Sequence, residues 1–235
     1  MLRSLVGSEM CIRDRSGTDP DDRDNLCGRI KEKAVKQDIR RKSLLLPEEN
    51  KKPYGREKQS METVSSKYLF RRPWLTVRCE DMLLPNGNHI PEYYILEYPD
   101  WVNTIAITKE GKFVFVCQYR PGIGRTCYEL CAGVCEKEDA SPLVSAQREL
   151  WEETGYGNGN WQEYMVISAN PSTHTNLTYC FLATDVELID HQHLEATEDL
   201  SVHLLTLEEV KRLLDNNEIM QALNAAPLWK YIASL

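Results

Sequence analysis

The chain has 235 residues with 36 acidic against 28 basic side chains, a formal net charge of −8. That length allows one ordinary domain plus an appendage, and the acidic balance makes a poor nucleic-acid partner. No apolar run approaches the ~20 residues needed to span a bilayer.

Charge divides the chain near residue 60. Residues 1–60 carry 15 Lys and Arg against 11 Asp and Glu, while the remainder carries 13 against 25. The opening Ser4-Leu5-Val6-Gly7-Ser8-Glu9-Met10-Cys11-Ile12-Arg13-Asp14-Arg15 looks like a translated sequencing adaptor. The Asp/Arg/Lys-rich stretch after it has no sustained periodicity of 2 or 3.6, and no apolar core of a signal peptide is present. Residues 1–60 are therefore expected to be unstructured and dispensable, with Met61 as a natural start. The working domain is expected over 61–235.

In that domain, Leu75–Met82 alternates like a strand, Pro85-Asn86-Gly87-Asn88 signals a turn, and Tyr93–Tyr98 supplies the returning strand. Val102–Thr108 and Lys112–Tyr119, joined at Glu110-Gly111, predict a second hairpin. A strand over Thr126–Leu130 precedes a loop. Trp161–Ala169, Leu177–Ala183 and Val202–Leu205 are further strand candidates. Two helices close the chain, Thr206–Asn216 and Glu218–Ala233, the first opened by a Thr206/Glu209 capping box. The order suits an α/β fold, a mixed β-sheet sandwiched between helices, with an antiparallel strand extension at its N-terminal side. Eight cysteines with no C-x-x-C pair predict reduced thiols in a cytoplasmic protein rather than disulfides or a zinc site.

Between the strands at 126–130 and 161–169 lies the most informative segment, Arg148-Glu149-Leu150-Trp151-Glu152-Glu153-Thr154-Gly155-Tyr156. Ser141 is a good N-cap, Pro142 suits the first helical position and Gly155 suits the stop. At about 100° per residue, Glu149, Glu152 and Glu153 share an arc of roughly 100°, beside an apolar arc of Leu143, Ala146 and Leu150. A charged surface helix would give such a pattern too. Three crowded carboxylates gain nothing on a solvated helix, however, whereas a hard divalent cation would relieve their repulsion and also bind phosphates.

Gly133 to Tyr156 resembles the signature of the Nudix hydrolases, G-x5-E-x7-R-E-U-x-E-E-x-G-U with U a bulky apolar residue. Arg148, Glu149, Leu150, Glu152, Glu153, Gly155 and Tyr156 match its second half. The first half departs from it: fourteen residues separate Gly133 from Arg148 where the pattern has thirteen, and only Glu138 or Asp139 can stand in for the first glutamate. The resemblance implies the Nudix fold, an α/β/α sandwich, and a Mg²⁺-dependent hydrolase, with Mn²⁺ as an alternative ion. Carried over by position, Glu149, Glu152, Glu153 and the Ala132 carbonyl are the metal ligands. Arg148 is expected to pair with Glu152, its i+4 neighbour, so that it orients the ligands. The general base in the ADP-ribose-cleaving branch comes from a late acidic loop, here Glu195-Ala196-Thr197-Glu198-Asp199-Leu200. Glu198 is the first choice and Glu195 the second, with solvated loop charges as the plain alternative. Glu152, Glu153 and Arg148 join Glu198 in the expected catalytic set.

Pro171, 15 residues beyond Tyr156, and Gln118-Tyr119-Arg120 and Glu129-Leu130-Cys131-Ala132-Gly133 resemble the ADP-ribose and ADP-sugar branch, whose usual form is E-L-P-A-G. That branch implies cleavage of a nucleoside diphosphate sugar to a nucleoside monophosphate and a sugar phosphate. The Cys131 variant with a longer box resembles UDP-sugar diphosphatases, which stay open as an alternative. Arg120 and Arg125 are candidate phosphate contacts, Tyr98, Trp101 or Tyr119 could stack the base, and Glu129 could meet the ribose hydroxyls. The resemblance further implies a homodimer in which residues 68–98 reach the partner. It leaves two rivals: a Nudix-fold sensor that binds ADP-ribose without cleaving it, and an enzyme clearing oxidised nucleoside triphosphates.

Overall fold

Eleven strands and three helices, in nearly the expected order, make up the computed structural model, which describes residues 60–235. The reading of residues 1–60 lies outside the described residues but for its last position.

Strands β1 (Glu62–Arg72), β2 (Leu75–Leu83) and β3 (His89–Glu97) form a three-stranded sheet in that order. The expected turn joins β2 to β3: Leu84 N–H donates to Asn88 O at 2.8 Å, Gly87 N–H donates to Leu84 O at 2.9 Å, and Gly87 takes φ +84°. β1 has no counterpart among the expected elements. It runs antiparallel to β2 from Glu62↔Leu83 to Arg72↔Leu75, with register shifts after Thr63 and Tyr68. All eleven of its residues are exposed, so no inside/outside alternation marks it in the sequence.

The remaining strands build one mixed sheet. They are β4 (Trp101–Thr108), β5 (Phe113–Arg120), β6 (Arg125–Glu129), β7 (Cys131–Val134), β8 (Tyr156–Gly157), β9 (Asn160–Ile167), β10 (Thr178–Leu188) and β11 (Leu200–Leu205). The main order is β11-β5-β4-β10-β8, with β6 on β5, β7 on β4 and β9 on β10. β4 and β10 are parallel and the other pairings antiparallel. Cys131–Val134, expected in a loop, is instead paired to β4.

β4 is buried along its whole length, as a central strand covered on both faces must be. Its alternation sorts the two layers. Ile105 and Ile107, with Phe113 and Phe115 of β5 and Leu182 of β10, pack against Val210, Leu213, Leu214 and Leu228 of the two C-terminal helices. Ala106, Val114, Val116 and Ala183 point the other way and meet Leu150, while Val102 and Phe181 meet Ala146. Leu150 and Ala146 belong to helix α1 (Pro142–Thr154), so α1 covers one face while α2 (Leu207–Asp215) and α3 (Ala222–Ile232) cover the other. This is the expected α/β/α sandwich.

The Thr206/Glu209 capping box forms in full. α3 starts at Ala222, later than the expected Glu218, because the end of α2 consumes the intervening residues: Asn217 takes φ +55° and Glu218 N–H donates to Leu213 O at 2.8 Å. No helix among the described residues is long and apolar enough to cross a membrane. The six described cysteines are free thiols.

Candidate active site

Helix α1 starts and stops where its residues dictate. The Ser141 hydroxyl accepts from Val144 N–H at 3.4 Å, Pro142 occupies the first turn, and Gly155 ends the helix at φ +73° with its N–H on Trp151 O. Between these caps Glu149 and Glu153 are 5% and 2% exposed, buried with Ala146 and Leu150. A solvated charged face would leave them in water, so the plain surface-helix reading fails. Glu152 is partly exposed.

Strand β7 runs beside this carboxylate face. Its pairing with β4 alternates, and Cys135 N–H donates to Asp100 O at 2.8 Å. The N–H and C=O groups of Ala132 and Val134 therefore point away from β4. Ala132 N–H donates to Glu153 Oε2 at 3.1 Å, and Val134 O accepts from Arg148 Nη2 at 3.0 Å. The Ala132 carbonyl lies on the same strand edge as its amide, toward the helix carboxylates. Between these two residues, Gly133 leaves room for Glu149: a Cβ built there would run into the Glu149 carboxyl carbon and both its oxygens.

Arg148 holds the cluster together. Its guanidinium donates to Glu149 Oε1 at 2.8 Å, Glu152 Oε2 at 2.9 Å and Asp139 Oδ2 at 3.1 Å, besides Val134 O. The expected Glu152 pair is one of four contacts. Of the two stand-ins for the first glutamate, Asp139 is the partner of Arg148, and it also accepts from Ser145 Oγ at 2.8 Å. Nothing in the linear spacing distinguishes Asp139 from Glu138, because the extra residue leaves the register of the loop open. Burial works against the Arg148 charge, but Glu149, Glu152 and Asp139 outweigh it and hold the guanidinium protonated.

Burial pushes the Glu149 carboxyl up to about 8; Arg148 opposes the rise, while Glu152 and Glu198 add to it. Glu153 is likewise raised well above the ordinary carboxylate range, by burial first and then by Glu149, with Glu198 and Glu129 contributing. Glu198 lies in the loop between β10 and β11, and its charge reaches both buried helix carboxylates. Its Oε2 accepts from Glu195 N–H at 2.8 Å, a turn that closes with Glu198 N–H on Glu195 O at 3.0 Å. The helix, the end of β6 and this late loop thus bring their carboxylates into one acidic cluster. Its donors are carboxylate and carbonyl oxygens, which suit a hard divalent cation such as Mg²⁺ or Mn²⁺.

The candidate substrate contacts lie on the β5–β6 hairpin. Arg120 and Glu129 engage each other: Arg120 Nε donates to Glu129 Oε1 at 2.7 Å and Nη2 pairs with Oε2. Glu129 is buried. Arg125 sits directly across from Arg120 in the register, exposed, with Nη1 at 3.3 Å from Met220 Sδ. Tyr119 points to the opposite face of β5 and is 57% exposed. Tyr98, Trp101 and His174 form an aromatic group, with ring centroids 5.4 Å apart for Tyr98–Trp101 and 5.1 Å for Tyr98–His174.

Comparison with known proteins points to the family that the sequence resembles. Residues 98–224 match the model of the NUDIX domain, and residues 61–96 match that of the nucleoside diphosphate sugar hydrolase N-terminal domain. An ADP-ribose pyrophosphatase of Bacillus subtilis (strain 168) is 30% identical over 165 residues, covering 70% of this chain and 88% of that protein. A methanol dehydrogenase activator of Bacillus methanolicus is 29% identical over 166 residues, covering 68% and 89%. The crystal structure of an ADP compounds hydrolase superposes with a TM-score of 0.64 at 21% identity, covering 74% of this chain and 93% of that one, which speaks for the fold. With the domain match spanning more than half the chain, and the carboxylate helix, its glycine and its arginine in place, the protein belongs to the Nudix hydrolase family.

Proposed function

We propose that the protein hydrolyses the diphosphate of ADP-ribose, or of a related nucleoside diphosphate sugar, to a nucleoside monophosphate and a sugar phosphate. One observation carries the reading. Glu149 and Glu153 are buried side by side, with the charge of a loop carboxylate, Glu198, acting on both. Like charges are kept together out of water only where a cation or a proton offsets them.

In this reading Glu149, Glu152, Glu153 and the Ala132 carbonyl hold Mg²⁺, or Mn²⁺ in its place. Such an ion, when bound, shields the diphosphate and eases deprotonation of water. Arg148 orients Glu149 and Glu152 through its two short contacts and does not touch substrate. Glu198 takes the proton of the attacking water on a carboxylate oxygen. Arg120, oriented by Glu129, and Arg125 bind the diphosphate. Two arginines directly opposite on a hairpin repel each other, and an anionic ligand relieves that cost. Glu129 meets the ribose, and Tyr119 or Tyr98 stacks the base, whereas Trp101 is buried in β4.

The same reading makes the protein a cytoplasmic homodimer. Exposed Val64, Tyr68 and Phe70 on β1 support a second copy covering that strand. Sedimentation velocity tests the dimer.

The substrate is tested on a panel of ADP-ribose, ADP-glucose, UDP-glucose, diadenosine polyphosphates and nucleoside triphosphates, with products resolved and Mg²⁺ varied. Highest kcat/KM on ADP-ribose, with AMP and ribose phosphate as products, supports the reading. Preference for UDP-glucose moves the assignment to a UDP-sugar diphosphatase, and absence of cleavage across the panel overturns it.

A further inference from the structure

A second group of metal-ligating side chains lies at the far end of α1, on the loop that leaves β10. Asp190, His191 and His193 bring their ligand atoms within 4.8 Å of one another. Asp190 Oδ1 is 2.7 Å from His191 Nδ1, Asp190 Oδ2 is 3.0 Å from His193 Nε2, and the imidazole centroids are 4.3 Å apart. Two imidazole nitrogens thus face one carboxylate.

The loop is held rigidly against the helix. Ile189 and Asp190 N–H both donate to Gly155 O, at 2.9 and 3.1 Å. His193 N–H donates to Glu152 O at 2.8 Å, and Gln192 Nε2 donates to Glu153 O at 2.8 Å. Gly155 permits this approach, since a Cβ there would collide with Asp190 O. The His193 ring stacks on Trp151 with centroids 4.1 Å apart and planes at 30°. The ligand backbone and one imidazole are therefore positioned in advance, and the negative end of the α1 dipole favours a cation beside it.

We propose that Asp190, His191 and His193 form a binding site for a zinc-class divalent ion, distinct from the carboxylate site. Two imidazoles and one carboxylate suit Zn²⁺, Ni²⁺ or Cu²⁺, whereas Mg²⁺ prefers oxygen donors alone. Metal–ligand bonds of roughly 2.0–2.1 Å in a tetrahedron put donors about 3.3 Å apart. The ion replaces imidazole protons facing Asp190, and a small side-chain movement opens the site. Solvent can supply the remaining ligand, because His191 is 79% exposed in its side chain.

The test is a titration of the full chain with NiCl₂ in excess Mg²⁺, followed by tryptophan fluorescence and by calorimetry. The expected result is saturable quenching with an end-point of one Ni²⁺ per chain. His191→Ala, a surface change that leaves the fold intact by circular dichroism, weakens binding by more than about tenfold, at least the loss caused by removing a residue that merely supports a ligand. The double variant H191A/H193A abolishes it. Trp151→Phe removes most of the quenching while calorimetry still reports one bound ion. Undiminished binding in the double variant assigns the ion to thiols or to the helix carboxylates and overturns the proposal, as does a wild-type titration without saturation.

Discussion

The carboxyl group of Glu149 fills the space that a side chain at residue 133 would need. The glycine that opens the family signature is thus one half of a contact whose other half lies on α1, a full loop further along the chain. Gly133→Ala forces either β7 or the glutamate to move, an overpacking that costs about 1–3 kcal/mol. Because Ala132 and Glu149 are both candidate ligands, activity should fall further than stability. A lowered melting temperature together with a raised Mg²⁺ requirement in kcat measurements is the expected outcome; a Gly133→Ala enzyme with wild-type Mg²⁺ dependence would remove the contact from the site.

The carboxylates make stability depend on pH in a definite direction. The Glu149 carboxyl is raised to about 8 in the folded chain, above its ordinary value of 4.5. A raised acid binds its proton more tightly when folded, so its contribution is complete below about 4.5 and is lost as the pH rises through about 8. In chelator, the melting temperature should therefore decline between about pH 5 and 9. Glu149→Gln should make that decline shallower, since the amide stays neutral throughout and the raised Glu153 carboxyl alone is left to lose its proton. Mg²⁺ should restore the wild-type protein at the alkaline end and move the Glu149→Gln variant less, which thermal melts across pH can measure.

Asp139 and Glu138 offer a direct comparison. Of the two, Asp139 hydrogen-bonds Arg148, with Ser145 Oγ as a further donor to it. Hydrogen bonds to a charged group contribute about 1.5–3 kcal/mol, so Asp139→Ala should destabilise the protein by about 2 kcal/mol and lower kcat through a freed Arg148. Glu138→Ala should change neither. Equal effects from both, by denaturant titration and assay, would mean that the longer loop shares the contact.

The sandwich is legible in the sequence where the signal is local. Val102–Thr108 reads as a strand, although its burial on both faces hides which helix each residue meets, and Ser141-Pro142 with Gly155 bounds α1 to the residue. β1 is invisible there because its eleven exposed residues carry no inside/outside contrast. β7 reads as loop because Cys131-Ala132-Gly133-Val134 is short and holds a glycine, whose reason is a helix distant in the chain. The Arg148–Glu152 pair follows from helical spacing alone. The Arg148 contacts to Asp139 and Val134 depend on how the loop at 135–140 folds back, and the Arg120–Glu129 pair depends on β5–β6 register. Local periodicity encodes neither.

Arg120 and Arg125 face each other at the turn end of that hairpin, but it is Arg120 whose guanidinium is engaged by Glu129. Their substitutions should differ accordingly. Arg125→Ala removes an exposed charge, leaves folding unaffected and raises KM with kcat nearly constant if it binds the ground-state diphosphate. Arg120→Ala leaves the buried Glu129 without its counter-charge and lowers both stability and kcat/KM. Unchanged KM in the Arg125→Ala enzyme on every panel substrate would exclude Arg125 from substrate binding.

The late loop offers two glutamates, and the geometry separates them. Glu198 acts electrostatically on both Glu149 and Glu153. Glu195 instead supplies the backbone N–H that orients the Glu198 carboxylate at 2.8 Å. That N–H survives any side-chain change at 195. Glu198→Gln should therefore cut kcat by about 10²–10⁴ while Mg²⁺ affinity, read by calorimetry, stays within a few-fold. Glu195→Gln should leave kcat within a few-fold, because its orienting contact comes from the backbone. The loss in the Glu198→Gln enzyme should shrink as the pH rises, when hydroxide is abundant and proton removal matters less, whereas a merely structural defect would persist at every pH. Should Glu195→Gln abolish turnover and Glu198→Gln preserve it, the two residues exchange roles and the turn between them becomes the positioning element.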